Sequence, residues 1–167
     1  MSNADSLKIL IVDDDPNNLL SLHGLLEEYL SKVHIIEANS GISALSLLMK
    51  ESVDLIFLDI QMPKMDGFET AQMIQSRQKM RHVPIVFLTA AYKSAEFHKK
   101  GLELGATDYL TKPINTTDLI GKVKTYLRLI QQERLRQEEQ RELTELQLLK
   151  MIINSSETLE KKAIKAA

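Results

Sequence analysis

The sequence predicts an α/β fold, a parallel sheet covered by helices on both faces, followed by a long C-terminal helix. Three observations predict it. Over residues 1–120, five short apolar runs alternate with stretches of helical spacing. The runs are of strand length and rich in β-branched and aromatic residues. From about Asn115 the helical period continues without a breaker to about residue 160. Strand–helix alternation of this kind gives parallel strands buried on both faces.

Each element has its own signal. The run "LKILIV" (Leu7–Val12) opens the sheet. Asp15 before Pro16 is a helix N-cap followed by an N1 proline. "PNNLLSLHGLLEEYL" then places Leu19, Leu22, Leu26 and Leu30 on one helical face. "VHIIEA" (Val33–Ala38) is the second strand and "GISALSLLMK" the second helix. "DLIFLD" (Asp54–Asp59) is the third strand, leading through a loop with Pro63 and Gly67 to the helical "MDGFETAQMIQSR". "VPIVFLT" (Val83–Thr89) is the fourth strand. "SAEFHKKGLELG" follows it as a helix, with Gly105 as its C′ glycine. "TDYLTK" (Thr107–Lys112) is the fifth strand. In the tail, "QQERLRQEEQRE" (Gln131–Glu142) carries a single apolar residue, Leu135. A helix so polar all round projects into solvent or pairs with a partner. Leu143, Leu146, Leu149 and Ile153 then restore a 3–4 spacing, the seam of a short coiled coil.

The composition narrows the function classes. The chain has 167 residues, 44% of them hydrophobic, enough for one core and an appendage. It has no Cys, which excludes disulfides, thiolate zinc sites and cysteine nucleophiles. His23, His34, His82 and His98 are too scattered for a histidine metal site. Residues 121–167 hold 10 Lys/Arg and 7 Asp/Glu, a net of +3, and residues 1–120 hold 11 and 16, a net of −5. Neither part has the clustered basic face of a nucleic-acid surface. No run reaches membrane-spanning length and no signal peptide opens the chain, so the cytoplasm is the expected compartment.

The strand ends carry the chemistry. In an open parallel sheet, ligands bind beyond the carboxyl ends of the strands. The first strand ends in Asp13-Asp14-Asp15, the third in Asp59, the fourth in Thr89 and the fifth in Lys112-Pro113. Taken singly, each has a bland reading. Asp15 is a helix cap, Asp13 or Asp14 a loop carboxylate, Thr89 an ordinary strand end, Lys112 a solvated lysine and Tyr109 a core aromatic. Together they bring carboxylates, a hydroxyl and an ammonium to one edge. Clustered carboxylates repel unless a hard cation such as Mg²⁺ binds them. A cation, a lysine and a hydroxyl donor suit a phosphoryl group, with Asp59 as the nucleophile that accepts it.

The motifs "ILIVDDDP", "LIFLDIQMPKMDGFE", "IVFLTA" and "DYLTKP", in that order, resemble the response regulator receiver domain. The resemblance covers about residues 6–130, leaving residues 1–5 as an expression scar and 131–167 as a helical linker or coiled-coil extension. It implies a flavodoxin-like (βα)5 doubly wound sheet of strand order 2-1-3-4-5 with five helices. It implies Asp59 as the phosphoacceptor of a two-component phosphorelay. Mg²⁺ would be held by Asp13, Asp14, Asp59 and the backbone carbonyl of Gln61. Lys112 would pair with the phosphoryl group, Thr89 would hydrogen-bond to it, and Tyr109 stands where the family carries its switch aromatic. Lys112–Pro113 is a cis candidate, and Gln61 and Ala91 stand where the family tunes water access. The implied partner is a histidine kinase or phosphotransfer protein, with a homodimer through the C-terminal helix as a further expectation.

Two other readings compete. A metal-dependent phosphohydrolase with an Asp59 nucleophile would expect an acidic residue two positions later, where Gln61 stands. A dimerising scaffold with a vestigial receiver would not need the complete Asp, Thr and Lys set. The expected protein is therefore a signalling switch rather than an enzyme acting on other molecules.

Overall fold

Runs of Leu, Ile, Val and Phe too short for helices pair side by side and lose both faces to the interior. The computed structural model describes residues 6–90, 94–104 and 108–167. The strands are β1 (Leu7–Val12), β2 (Val33–Ala38), β3 (Leu55–Asp59), β4 (Ile85–Ala90) and β5 (Asp108–Lys112). The helices are α1 (Pro16–Tyr29), α2 (Gly41–Lys50), α3 (Gly67–Gln75), α4 (Ser94–Glu103) and α5 (Thr116–Ala166). All strand pairs are parallel, in the order β2-β1-β3-β4-β5. This is the expected doubly wound fold.

The central strand β3 is buried at every residue, including its terminal Asp59. Phe57, Phe87, Ile9, Leu10, Ile11 and Ile56 are all at most 1% exposed. Each such side chain contributes about 1.5–3 kcal/mol relative to exposure. Two strand starts differ from the sequence reading. The Asp54 N–H donates to the Lys8 carbonyl at 2.8 Å and its carboxylate accepts from the Lys8 N–H at 2.7 Å, so a side chain closes the edge of the ladder and β3 begins at Leu55. Pro84 has no N–H to give, and β4 begins at Ile85.

The helix caps follow from side chains. Asp15 accepts from the Asn17 N–H at 2.8 Å, as a cap should. Leu19, Leu22 and Leu26 are buried, while Leu30 serves as the C-cap residue just past the end of α1. Ser40 and Asp66 each form a capping box, with Ser43 and Glu69 respectively. The predicted C′ glycine, Gly105, the expected first residue of the fifth strand, Thr107, the expected scar at residues 1–5 and Ala91 lie outside the described residues.

The chain divides into two compact units, the first ending at Leu127 and the second comprising Arg128–Ala167. In the first, α5 buries Leu119, Ile120 and Val123. The Asp108 carboxylate accepts from Lys122 Nζ at 2.6 Å and Tyr126 Oη at 3.0 Å, tying α5 to the start of β5. The second unit is helix alone, and its Leu143, Leu146, Leu149 and Ile153 are all exposed.

One surface cluster makes a pH-dependent contribution. His23 on α1 lies 2.5 Å from Glu37 of β2 and 3.3 Å from Glu27. Burial pulls the imidazole pKa down, but the hydrogen bonds and charges of Glu37 and Glu27 outweigh it and raise it above 6.5. A raised histidine pKa adds stability that is fully present below the unfolded value and is lost as pH rises through the folded one. The stability advantage of the parent over His23→Gln is therefore expected to be largest below pH 6.5 and to vanish at mildly alkaline pH. Thermal melts of both proteins at acidic and alkaline pH would measure it; a pH-independent gap would contradict the pairing.

Candidate functional site

Four strands deliver the site because a parallel ladder sets their ends side by side. Val12 pairs with Leu58, and Asp59 with Leu88. Asp13 therefore follows β1 next to the end of β3, and Thr89 stands one residue beyond Asp59's partner. Ala90 pairs with Lys112, bringing β5 to the same edge.

Asp13 and Asp59 are buried, at 2% and 5% exposure, whereas Asp14 is exposed. One carboxylate oxygen from each of the three lies within 4.8 Å of the others. Lys112 Nζ bridges two of them, at 2.8 Å from Asp13 Oδ2 and 3.1 Å from Asp59 Oδ1. Burial pushes the Asp59 carboxyl up to about 6, with Asp13 and Asp14 adding to the rise and Lys112 opposing it. Burial pulls the Lys112 ammonium down, but Asp13 and Asp59 outweigh that and raise its pKa. The ammonium is thus a fixed positive charge. The three oxygens fit a hard divalent cation, which prefers carboxylates and water over nitrogen or sulfur.

Asn18 is a member that the sequence reading missed. Its amide donates to Asp13 Oδ1 and Oδ2 at 3.3 and 3.1 Å, while the Asp15 N–H donates to Oδ1 at 2.9 Å. These donors and Lys112 fix the orientation of Asp13. The available signal was a polar residue one turn before Leu22, on the buried side of α1.

The other expected residues are placed differently. Thr89 is buried, and its hydroxyl donates to the Ala90 carbonyl at 3.4 Å. Gln61 is exposed, two residues past Asp59. Tyr109 lies inside, its ring 5.7 Å from that of Phe87, which in turn packs 5.1 Å from Phe68. The Lys112–Pro113 bond is cis.

Two glycines let backbone pack where no side chain fits. A Cβ on Gly67 would lie 2.3 Å from the Asp59 carbonyl oxygen and 2.7 Å from Ile60 Cα. The Gly67 N–H donates to the Ile60 carbonyl at 2.8 Å, so the start of α3 is pressed against the end of β3. A Cβ on Gly101 would overlap the Tyr109 hydroxyl.

A buried acidic edge with a bridging lysine, on a 2-1-3-4-5 sheet, defines the class. The chain matches the family model described as response regulator receiver domain over residues 9–124, and it belongs to that family. Receiver domains are signalling switches of two-component systems rather than conventional enzymes, and they bind Mg²⁺ at an acidic cluster such as this one. Its relatives include the alkaline phosphatase synthesis transcriptional regulatory protein PhoP of Bacillus subtilis. That protein is 43% identical over 72% of this chain and 48% of its own length. The transcriptional regulatory protein CpxR of Escherichia coli is 39% identical over 72% of this chain and 49% of its own. The chain thus spans half or less of the length of these relatives. Among solved structures, chemotaxis protein CheY4 of Vibrio cholerae matches with a TM-score of 0.67 at 29% identity, covering 72% of this chain and 98% of that one. Among the described residues, no helix is long and apolar enough to cross a membrane.

Proposed function

We propose that this receiver accepts a phosphoryl group on Asp59 from a histidine kinase or phosphotransfer protein of the cytoplasm, and relays the change to a partner or output segment. The observation that carries the reading is the convergence of Asp13, Asp14 and Asp59 around Lys112. An Asp59 carboxylate oxygen attacks the donor's phosphorus, and the bond from phosphorus to the donor breaks with its electron pair leaving on the donor. Asp13, Asp14, Asp59 and the Gln61 carbonyl would hold Mg²⁺, which neutralises charge on the transferring oxygens. Lys112, already 3.1 Å from Asp59, shifts part of its contact from Asp13 to the new phosphoryl oxygens. The Thr89 hydroxyl turns from the Ala90 carbonyl to the same group, and Tyr109 and α4 repack behind it. Incubation with acetyl phosphate and Mg²⁺ tests the reading: one phosphoryl per chain is expected by intact mass, and none in EDTA. Continuous turnover of phosphomonoesters would instead indicate a hydrolase.

Metal affinity gives a separate test. Asp14 is exposed beside two buried carboxylates, so in metal-free protein it mainly repels them. Mg²⁺ is expected to raise the melting temperature of the parent by mass action. Asp14→Ala should weaken that response while leaving the metal-free protein as stable as before or more so. An unchanged Mg²⁺ titration would remove Asp14 from the ligand set.

The helix of the second unit supports a homodimer. At 1.5 Å per residue, its 39 helical positions, Arg128–Ala166, extend about 60 Å. With no apolar contacts of its own such a helix is marginal in water. A second copy, packed in parallel through Leu143, Leu146, Leu149 and Ile153, would cover the face. Light scattering on the chain and on a version ending at Leu129 is expected to show a dimer for the first and a monomer for the second. Two monomers at tens of micromolar, on the order of the range where a working coil associates, would make the tail a linker.

A further inference from the structure

The end of the sheet opposite the acidic site carries a second feature. A cavity of 590 Å³ lies between the last turn of α2 and the turn that joins α3 to β4. Its floor is apolar, formed by the buried Leu48 and Val53 and the half-buried Met80 and Val83. The wall is held by backbone bonds, with the Met80 and Arg81 N–H groups donating to the Arg77 carbonyl at 2.9 and 3.0 Å. The volume is that of a ligand cleft, and the wall is formed in advance.

The rim is basic, in a unit whose net charge over residues 1–120 is −5. Lys50 stands on the α2 side and Arg77 and Lys79 on the other. Glu51, the acidic residue of the rim, is already paired with Lys8 Nζ at 3.3 Å. Lys50, Arg77 and Lys79 have no ion-pair partner among the described residues. α2 ends here at Lys50, and the carbonyls of its last turn disfavour a compact phosphate, which prefers helix N-termini. Flexible Lys and Arg heads that reach beyond those carbonyls suit separate carboxylates instead.

We propose that this cleft docks a short acidic segment of a partner protein. One or two apolar side chains enter over Leu48, Val53, Met80 and Val83, and carboxylates on either side of them pair with Lys50 and with Arg77 and Lys79. The cleft precedes β3 whereas Asp59 ends it, so docking does not depend on the phosphoacceptor reading. An Asp59→Asn variant should bind the segment as well as the parent.

The test is a titration of the ¹⁵N-labelled full chain with the synthetic peptide Glu-Glu-Leu-Phe-Glu-Glu. Saturable amide shifts are expected at residues 48–53 and 77–83, with a Kd tighter than about 1 mM. A double substitution, Lys50→Gln with Arg77→Gln, should weaken binding by about tenfold or more while the chain stays folded by thermal melt. Replacing Leu-Phe in the peptide by Gly-Gly should do the same. Absence of saturation, shifts confined to other surfaces, or equal binding of the Gly-Gly peptide would overturn the proposal. Shifts at these residues that appear on raising the chain concentration without peptide would overturn it too, since a second copy would then be the occupant.

Discussion

Asp59→Asn is expected to abolish phosphoryl labelling by acetyl phosphate and the spectral response to beryllofluoride. It should also make the metal-free protein more stable. Asparagine keeps the shape of the side chain and removes the nucleophilic oxygen with its charge. In the folded protein the Asp59 carboxyl titrates near 6 rather than 3.8, because burial and the neighbouring aspartates outweigh Lys112. A raised carboxyl pKa means that the fold binds the proton more tightly than the unfolded chain does. The resulting destabilisation is absent below pH 3.8, grows as the pH rises to about 6 and is constant above that. Water that reaches the site screens part of this, so the destabilisation at neutral pH is on the order of 1–3 kcal/mol. Melts of parent and variant in EDTA, from pH 4 to 8, should show the variant's advantage opening over that interval. Labelling that survives in Asp59→Asn would move the phosphoacceptor elsewhere, and a variant less stable than the parent at pH 7 would show that the lysine pairing dominates.

Gly67→Ala is expected to damage both fold and site. The added methyl would meet the Asp59 carbonyl oxygen and Ile60 Cα, which are backbone atoms that no rotamer change can clear. Overpacking of this kind costs on the order of 3 kcal/mol, about 10 °C in melting temperature for a domain of this size. The same shift displaces the carboxylate that ends β3, so phosphoryl labelling should slow as well. Gly24→Ala is the control. It lies in the interior of α1 with nothing within 4 Å of a new Cβ, and should gain about 0.5–1 kcal/mol. Equal behaviour of the two variants would mean that the start of α3 yields easily.

The fold was legible because its signals are periodic. β1 and β2 have the bounds that their apolar runs mark, and Asp15 caps α1 where Asp-Pro places a helix start. The starts of β3 and β4 were not legible, because the Asp54 carboxylate takes the Lys8 N–H of neighbouring β1, a bond between residues far apart in sequence. A proline N-terminal to β4 acts through a missing donor that hydropathy does not register. At the site, the acidic residues and Lys112 announced themselves by standing where apolar runs stop. Asn18 did not, since its role lies in a bond to Asp13 across the turn into α1. Gly67 read as a loop glycine, while its function is to leave room for the backbone of β3. The cleft at the far end of the sheet had no sequence motif at all, being assembled from a helix end and a turn 27 residues apart, at Lys50 and Arg77.

The contact between Gly101 and Tyr109 leaves no slack. Tyr109 is 7% exposed, and its hydroxyl occupies the space a methyl would take on α4. Neither body has free travel toward the other. Any residue larger than glycine at 101 would drive the ring or the helix from its place. The identity of residue 101 thereby sets the distance at which helix and ring settle.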